Sequence, residues 1–510
     1  MEDLKTWCVL LFFTVAMSVL ISIVYRRRLN IHSPPGPMGL PLLGMLPFLH
    51  ADQLHIYFAL LAGRYGSIFS INLGFKPVVV VSSASLCREI LSEKDVVFAN
   101  RDVPVSARIL FYAEDDFSFR PYGKEFQMLR RIIKNGLLGK ATLDAMHGLR
   151  RTEIRAMVKR VEEMRGRPVE IGVEIFTTTL NVITSMMWGG KMHSNEHGGG
   201  AMKEMKDFKT QISDLVSLLG KPNVSDFFPM IGWLDLQRVK RKSMDLNKKF
   251  DELFEGIISE KKVGINGGGE TAQASDFLDV LLGLEKTALT RTNIKGILMD
   301  LLSASTDTSS SVMEFAMAEM MRNPSLLTKA QEELDVVVGE GATVEEHHVT
   351  KLPYLHAIMK ETLRLHPTLP LLIQHSPNQV CTIGGYSVSK DSRVYINAWA
   401  IHRDPRTWDD PLEFLPERFL GEDGRSYTGA DFNYIPFGAG RRMCVGIEMA
   451  EKMSLYMIAS LLHSFDWSLL KETKPVSAPA PAVVEKFGFV LKKATPLVAV
   501  PSIRLRKSQL

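Results

Sequence analysis

A helix-dominated fold with small β-sheets is what this sequence predicts, carried on an apolar helix at its N-terminus. Three observations lead there. Leu, Met, Ala, Glu and Lys at helical spacing dominate residues 82–382 and the chain after residue 444. Runs of β-branched residues are confined to two short stretches, 67–81 and 383–397, enough for minor sheets only. Residues 7–25 carry no charge, the length of a membrane-crossing helix. With 510 residues and no long polar linker, the body is one large core or closely fused lobes. Apolar residues make up 45% of the chain and the net charge is +4, which excludes a disordered chain and gives no footprint for nucleic acid. Cys8, Cys87, Cys381 and Cys444 are too few for a disulfide scaffold and point to a reducing compartment.

In chain order, the stretch from Trp7 to Tyr25 spans about 28 Å as a helix, close to the ~30 Å hydrocarbon core. Arg26-Arg27-Arg28 follows with no small-residue cleavage site, so residues 1–28 read as an uncleaved anchor with its basic end on the cytoplasmic side. A buried core helix is the alternative. Pro34-Pro35-Gly36-Pro37 and Pro41 make residues 29–44 a stiff extended hinge, leaving 45–510 as the main domain. Residues 67–73 and 77–81 flank Gly74-Phe75-Lys76 and predict a hairpin, and a second β unit is expected at 383–397. Gly198-Gly199-Gly200 and Gly267-Gly268-Gly269 read as surface loops. Residues 226–234 are apolar but broken by Pro229 and Gly232, with Arg238, Lys240, Arg241 and Lys242 next. That fits a loop dipping into a membrane surface and equally a core segment beside a solvated helix face. Hydroxyl residues at 303, 305, 306 and 308–310 interrupt a long helical pattern. Such side chains bond back to carbonyls one turn earlier, bend a helix and open a polar pocket.

The chemical signal is strongest at Phe437-Gly438-Ala439-Gly440-Arg441-Arg442-Met443-Cys444-Val445-Gly446, before a helical pattern with Met449, Met453, Met457 and Leu461 on one face. Backbone N–H groups, the positive end of that helix and the arginines are expected to favour a thiolate, and the glycines let the chain approach a flat ligand. A glycine-rich turn around a free cysteine is the plainer reading. Five residues at fixed spacing favour a haem-iron ligand instead.

From about residue 34 onward the chain resembles the cytochrome P-450 haem-thiolate monooxygenases, most closely in wording their plant microsomal members. The resemblance implies the P-450 fold and haem b, with Cys444 as the axial iron ligand and Phe437, Gly438 and Gly446 shaping its loop. It implies an acid-Thr pair at Asp307 and Thr308 for proton delivery, with Ala304 over the haem; Ser305 stands where the family usually has glycine. Ser305 either restores the bend by bonding toward Leu301 or narrows the oxygen groove. Arg442 and Arg130 are implied as propionate partners, with His375 as a third. Phe126 replaces the usual tryptophan and Gln127 a frequent arginine, which removes an indole hydrogen bond to a propionate. Glu361, Arg364 and Arg418 match a buried network that locks the cysteine loop.

Arg130, Arg131, Lys134 and Lys140 form a basic cluster expected to face an acidic electron donor. The implied partner is an NADPH-dependent P-450 reductase, because this chain has no nucleotide-binding glycine motif. Substrate contacts are implied at 103–119, around Asp226, and at 304–308, 369–374 and 486–490, with Ile109, Leu110, Leu372, Ile373, Phe487 and Phe489 apolar. The activity expected is hydroxylation of a small lipophilic plant metabolite, terpenoid first and flavonoid or phenolic second, on the cytoplasmic face of the endoplasmic reticulum. A reductase-independent haem-thiolate isomerase or dehydratase, and a non-catalytic haem-binding membrane protein, are the alternatives.

Overall fold

The computed structural model describes residues 7, 14, 17, 32–190, 200–267, 276–285, 287–421, 425–469 and 483–504. The expected anchor, residues 1–28, lies outside the described residues apart from Trp7, Thr14 and Met17. No helix among the described residues is long and apolar enough to cross a membrane.

Helices dominate. The ones that position the site are α1 (Leu54–Tyr65), α2 (Lys124–Ile133), α3 (Ile171–Trp188), α4 (Gly200–Gly220), α5 (Val239–Gly267), α6 (Arg291–Arg322), α7 (Pro353–Leu365) and α8 (Ile447–Ser464). The 32-residue α6 starts at a reciprocal cap, in which Thr290 Oγ1 accepts from Asn293 N at 3.1 Å and Asn293 Oδ1 accepts from Thr290 N at 3.0 Å. It is buried along most of its length and packs on α3, α7 and α8, so it is the axis of the main core. That core gathers Ile175, Leu298, Met313, Leu355, Met457 and many other apolar side chains.

The strands are β1 (Ile68–Leu73), β2 (Lys76–Val81), β3 (Val169–Glu170), β4 (Cys381–Ile383), β5 (Tyr386–Val388), β6 (Arg393–Ile396), β7 (Phe465–Leu469), β8 (Glu485–Lys486), β9 (Lys492–Lys493) and β10 (Val498–Ile503). The hairpin expected at 67–81 is present, with Ile68 opposite Val81 and Leu73 opposite Lys76. Its turn needs Gly74, whose φ is +59°. The second β unit divides: β4 and β5 form a hairpin around Gly384-Gly385, whereas β6 leaves it to pair in parallel with β2. β10 joins β3 and β7, and β8 pairs with β9. Between the strands of the first sheet and the region of Ala439 sits a smaller core including Val79, Ile396 and Ile435.

Several expectations change. The stretch 302–310 does not interrupt its helix. Ser305 Oγ donates to Leu301 O at 2.6 Å, Thr306 Oγ1 to Leu302 O at 3.1 Å and Thr308 Oγ1 to Ala304 O at 2.6 Å, within an unbroken α6. These bonds use a second lone pair on each carbonyl, so the N–H ladder survives. The glycine triplets sit at helix ends: Gly200 opens α4 and Gly267 closes α5, while Gly198, Gly199, Gly268 and Gly269 lie outside the described residues. The apolar stretch at 226–234 is buried at one end and exposed at the other. Phe227 is buried and Asp226 Oδ1 accepts from Val105 N at 2.8 Å, but Met230 and Trp233 are 83% and 77% exposed. The neighbouring exposed apolar side chains belong to one surface. Gly74 N donates to Leu43 O at 3.1 Å and the Phe75 and Phe228 rings meet edge to face at 5.6 Å, which joins the segment around Met38 and Phe48 to the β1–β2 turn and to 228–234. The proline segment docks on β1 through Ser70 N to Pro35 O at 2.8 Å, and residues 40–44 close a turn.

Candidate functional site

The cysteine loop is built by glycines at positive φ. Gly438 and Gly440 have φ of +70° and +68°, and a Cβ on Gly440 would strike the Leu91 carbonyl oxygen. Asp95 receives Arg441 N at 3.1 Å and Arg441 Nη1 at 2.7 Å, while Cys444 N donates to Phe437 O at 3.0 Å and closes the loop. Cys444 presents its sulfur to open space, and the Gly446 N–H at the start of α8 points to Sγ at 3.4 Å. Desolvation by the surrounding protein pushes the Cys444 thiol up even though the residue is accessible, against the pull of that N–H and of Arg130. The N–H and the positive charge expected to favour the thiolate are both present, but the arginine that acts is not one of the loop's own. Arg441 and Arg442 are engaged elsewhere; the charge acting on the sulfur comes from α2, whose Arg130 donates from Nη2 to Met443 O at 2.7 Å. Arg130 therefore turns inward, away from the exposed Arg131, Lys134 and Lys140.

Beside the loop, basic groups converge without carboxylate partners. Arg442 donates from Nε to Ala99 O at 2.6 Å, from Nη1 to Phe117 O at 3.1 Å, and from Nη2 to Arg120 O. Its guanidinium lies 4.0 Å from the ring centroid of Phe126, a cation–π contact that the aromatic ring supplies without an indole N–H. Burial, ahead of neighbouring charge, brings Arg442 down to about 10. Arg101 donates from Nη1 to Ile373 O at 2.5 Å, and its Nε is buried without a partner. His375 is buried, not on the surface; its Nδ1–H donates to Phe98 O at 2.8 Å, and burial followed by the charge of Arg101 lowers its pKa well below the usual range. Among the described residues, Arg101, Arg130 and Arg442 have no acidic side chain in salt-bridge contact. Nothing local in the sequence singled out Arg101: its neighbours in the cluster are hundreds of positions away, and only the fold assembles them.

Across from this loop, α6 turns a hydroxyl face. Thr308 and Phe437 line one cavity, with Leu363 and Thr368 from the α7 side. Ala304, one turn before Thr308, is exposed in a helix that is otherwise mostly buried. Ser305 takes the first of the two roles open to it, the bond to Leu301. Asp307 points to another flank of the helix, where its Oδ2 meets Lys492 Nζ of β9 at 2.6 Å. Ser311 Oγ, one turn on, donates to Leu491 O at 2.5 Å and fixes that strand to the helix.

Behind the cysteine loop, Glu361 and Arg364 are fully buried and doubly bonded, Nε to Oε2 at 2.7 Å and Nη2 to Oε1 at 2.8 Å. Arg418 Nε reaches Glu361 Oε1 at 3.3 Å and Leu415 N donates to the same oxygen at 2.8 Å. Arg364 also holds the carbonyls of His402, Pro411 and Glu413. Of the apolar residues expected at the substrate, Leu372, Phe487 and Phe489 line one cavity together with Asp226 and Gln374. Leu110 is instead buried in the main core, and Ile373 contributes its carbonyl to Arg101.

Comparisons with known proteins point to one family. The family model described as cytochrome P450 matches residues 34–498. A flavonoid 3'-monooxygenase of Oryza sativa subsp. japonica is 37% identical, covering 93% of this chain and 91% of the relative. A geraniol 8-hydroxylase of Catharanthus roseus is 36% identical, covering 98% and 99%. Among solved structures, a zebrafish cytochrome P450 with abiraterone superposes with a TM-score of 0.71 at 25% identity, covering 88% of this chain and 99% of that one.

Proposed function

The chain belongs to the cytochrome P450 family, and from that membership and the site geometry we propose that it hydroxylates a small lipophilic plant specialised metabolite of the terpenoid or flavonoid class. The observation that carries this reading is the shared cavity of Thr308 and Phe437, which brings the hydroxyl face of α6 opposite the cysteine loop.

The residues fit haem b. The half-buried Arg101, Arg130 and Arg442, with an orphaned Arg101 Nε, match the need of two propionates for donors. A sulfur at the N-terminus of α8 suits haem iron. Bound haem supplies the iron that takes up dioxygen and receives electrons singly. Cys444 would be the residue that holds that iron, with its sulfur as thiolate. Phe437, Gly438 and Gly446 shape the loop, and the small Ala304 lets a flat ring lie close to α6. Arg442, Arg130, Arg101 and the neutral His375 hold the ring by its edge. Electrons come from NADPH through a separate reductase, with the exposed Arg131, Lys134 and Lys140 as the basic surface offered to it.

Proton delivery falls to α6. Thr308 donates to its own helix at rest; rotating its hydroxyl frees it to pass a proton to the reacting oxygen and to be resupplied through water from Asp307. Substrate, dioxygen, two electrons and two protons yield the hydroxylated product and one water. Leu372, Phe487 and Phe489 line a second, separate cavity whose apolar side suits the approach of a lipophilic substrate. Residues 1–28 anchor the chain at the cytoplasmic face of the endoplasmic reticulum, residues 29–44 act as the hinge, and 45–510 form the catalytic domain. The joined exposed surface around Met38, Phe75, Met230 and Trp233 supports insertion of that side into lipid, from which an apolar substrate can enter.

Membranes holding the protein and a plant reductase, given NADPH, heavy-isotope dioxygen and a panel of terpenoids and flavonoids, test the proposal. One heavy oxygen atom in a panel product, dependent on NADPH, is the expected result. Product formed from a hydroperoxide without NADPH would replace this reading with isomerase or dehydratase chemistry.

A further inference from the structure

Residues 115–120 cross from α6 to the cysteine loop and are held on both sides. On the helix side, Asn293 Nδ2 donates to Asp115 O at 3.1 Å. Gly296 allows the close approach, since a Cβ there would lie 3.0 Å from Asp115 O. Asp300 Oδ2 accepts from Phe117 N, and Asp116 Oδ2 accepts from Phe119 N, both at 2.8 Å. On the other side, the carbonyls of Phe117, Ser118 and Arg120 accept from Arg442. Phe119 in turn packs on Phe111 at 5.1 Å, next to Leu110.

Asp116 and Asp300 are almost completely buried and adjacent: the Asp116 backbone lies against Gly296, one turn before Asp300 on α6, and the two carboxylates hold N–H groups only two residues apart. Each leaves its Oδ1 buried with no donor. Two ionised carboxylates cannot be held side by side out of water, and a hydrogen bond between carboxyl groups needs a proton on one of them. The group of opposite charge facing the pair is Arg442. Asp115, Arg120 and Glu125 form their own ion cluster on the same segment. Burial, reinforced by mutual repulsion at Asp116, raises both groups, Asp300 to about 7.

We infer that Asp116 and Asp300 share one proton and act as a single positioning latch, fixing residues 115–120 and through them Arg442 and the wall at Phe119. The latch deepens the haem-site reading, because it sets the position of an arginine assigned to the haem edge. Deprotonation places a second negative charge in the pair and loosens the segment. The folded state keeps a proton that the unfolded chain releases near the ordinary carboxyl value of about 4. The stabilisation is therefore complete below that value and is lost as pH rises to about 7.

Thermal unfolding of the holoenzyme and its Asp300→Asn and Asp300→Ala variants, at pH 5 and pH 8, tests the latch. The amide introduced by Asp300→Asn can accept from Phe117 N while donating to Asp116, so it imitates the shared-proton state at every pH. We expect Asp300→Asn to gain about 2 °C in Tm on the unmodified protein between the two pH values, with Asp300→Ala below both throughout. Amide exchange at residues 117 and 119 should speed in Asp300→Ala and stay slow in Asp300→Asn. Asp116→Asn repeats the test from the other side if Asp300 variants fold poorly. A pH-independent Tm difference, or an Asn variant as damaged as the Ala variant, overturns the inference. Haem content and the carbon monoxide spectrum of the thiolate complex are read on the same samples, so the latch can fail while the haem reading stands.

Discussion

Glu361 behind the cysteine loop and Asp300 on α6 are both buried carboxylates, and they differ in every neighbour that decides their charge. Glu361 receives N–H groups from Arg364, Arg418 and Leu415, and neither of its oxygens lacks a donor. Asp300 faces another acid and keeps one oxygen without a donor. The same contrast runs through the two sides of the site. On the cysteine side, cations meet anions or main-chain carbonyls in fixed geometry. On the α6 side, hydroxyls bond back to their own helix and Asp307 meets a lysine that still reaches water. Fixed partners hold a cofactor in place, whereas groups with exchangeable partners can move protons.

Breaking the fixed side should cost most. Glu361→Ala strands the buried Arg364 charge and is expected to lower unfolding stability by about 3–5 kcal/mol with loss of haem, read by denaturant unfolding and by the absorbance of the holoprotein. On the exchangeable side, Thr308→Ala should leave stability nearly unchanged but cut product formed per NADPH consumed by about tenfold, with peroxide released instead; unchanged coupling would show that the hydroxyl carries no proton. Arg418→Ala sharpens the contrast within the fixed side, because its bond to Glu361 is longer at 3.3 Å and its side chain is 13% exposed; a loss of about 1 kcal/mol is expected in the same unfolding experiment. Ser305→Gly is the mildest change. Removing the bond to Leu301 and adding helix-interior glycine should cost about 1 kcal/mol, and coupling should change by less than about twofold; a large gain in coupling would mean that the serine narrows the oxygen groove after all.

Sequence made some of this legible and hid the rest for identifiable reasons. Cys444 with its glycines, the hairpin at 67–81 and the pairing of Glu361 with Arg364 are local patterns, readable because the physics acts within a few residues. Arg101, which joins Arg442 and His375, was not readable, since guanidinium groups that avoid carboxylates are defined by what surrounds them in space. The Asp116 and Asp300 pair was hidden similarly: in sequence each looks like an ordinary solvated acid. The helix at 302–310 misled in the opposite direction, because serine and threonine propensity is weak against the packing that buries α6 on several sides. Arg130 was expected both at a propionate and in a basic cluster, and the approach of α2 to the Met443 carbonyl separates it from that cluster by turning it inward.

Trp233 stands 77% exposed on the joined apolar surface, while Trp408 and Trp467 are buried in the interior. Indole emission moves to shorter wavelength when the ring leaves water for hydrocarbon, so this side chain is a natural optical probe of where the protein sits on a bilayer. Titrating lipid vesicles into the protein and subtracting the signal of a Trp233→Phe variant would report docking depth without any attached dye, and would follow substrate-bearing membranes in real time.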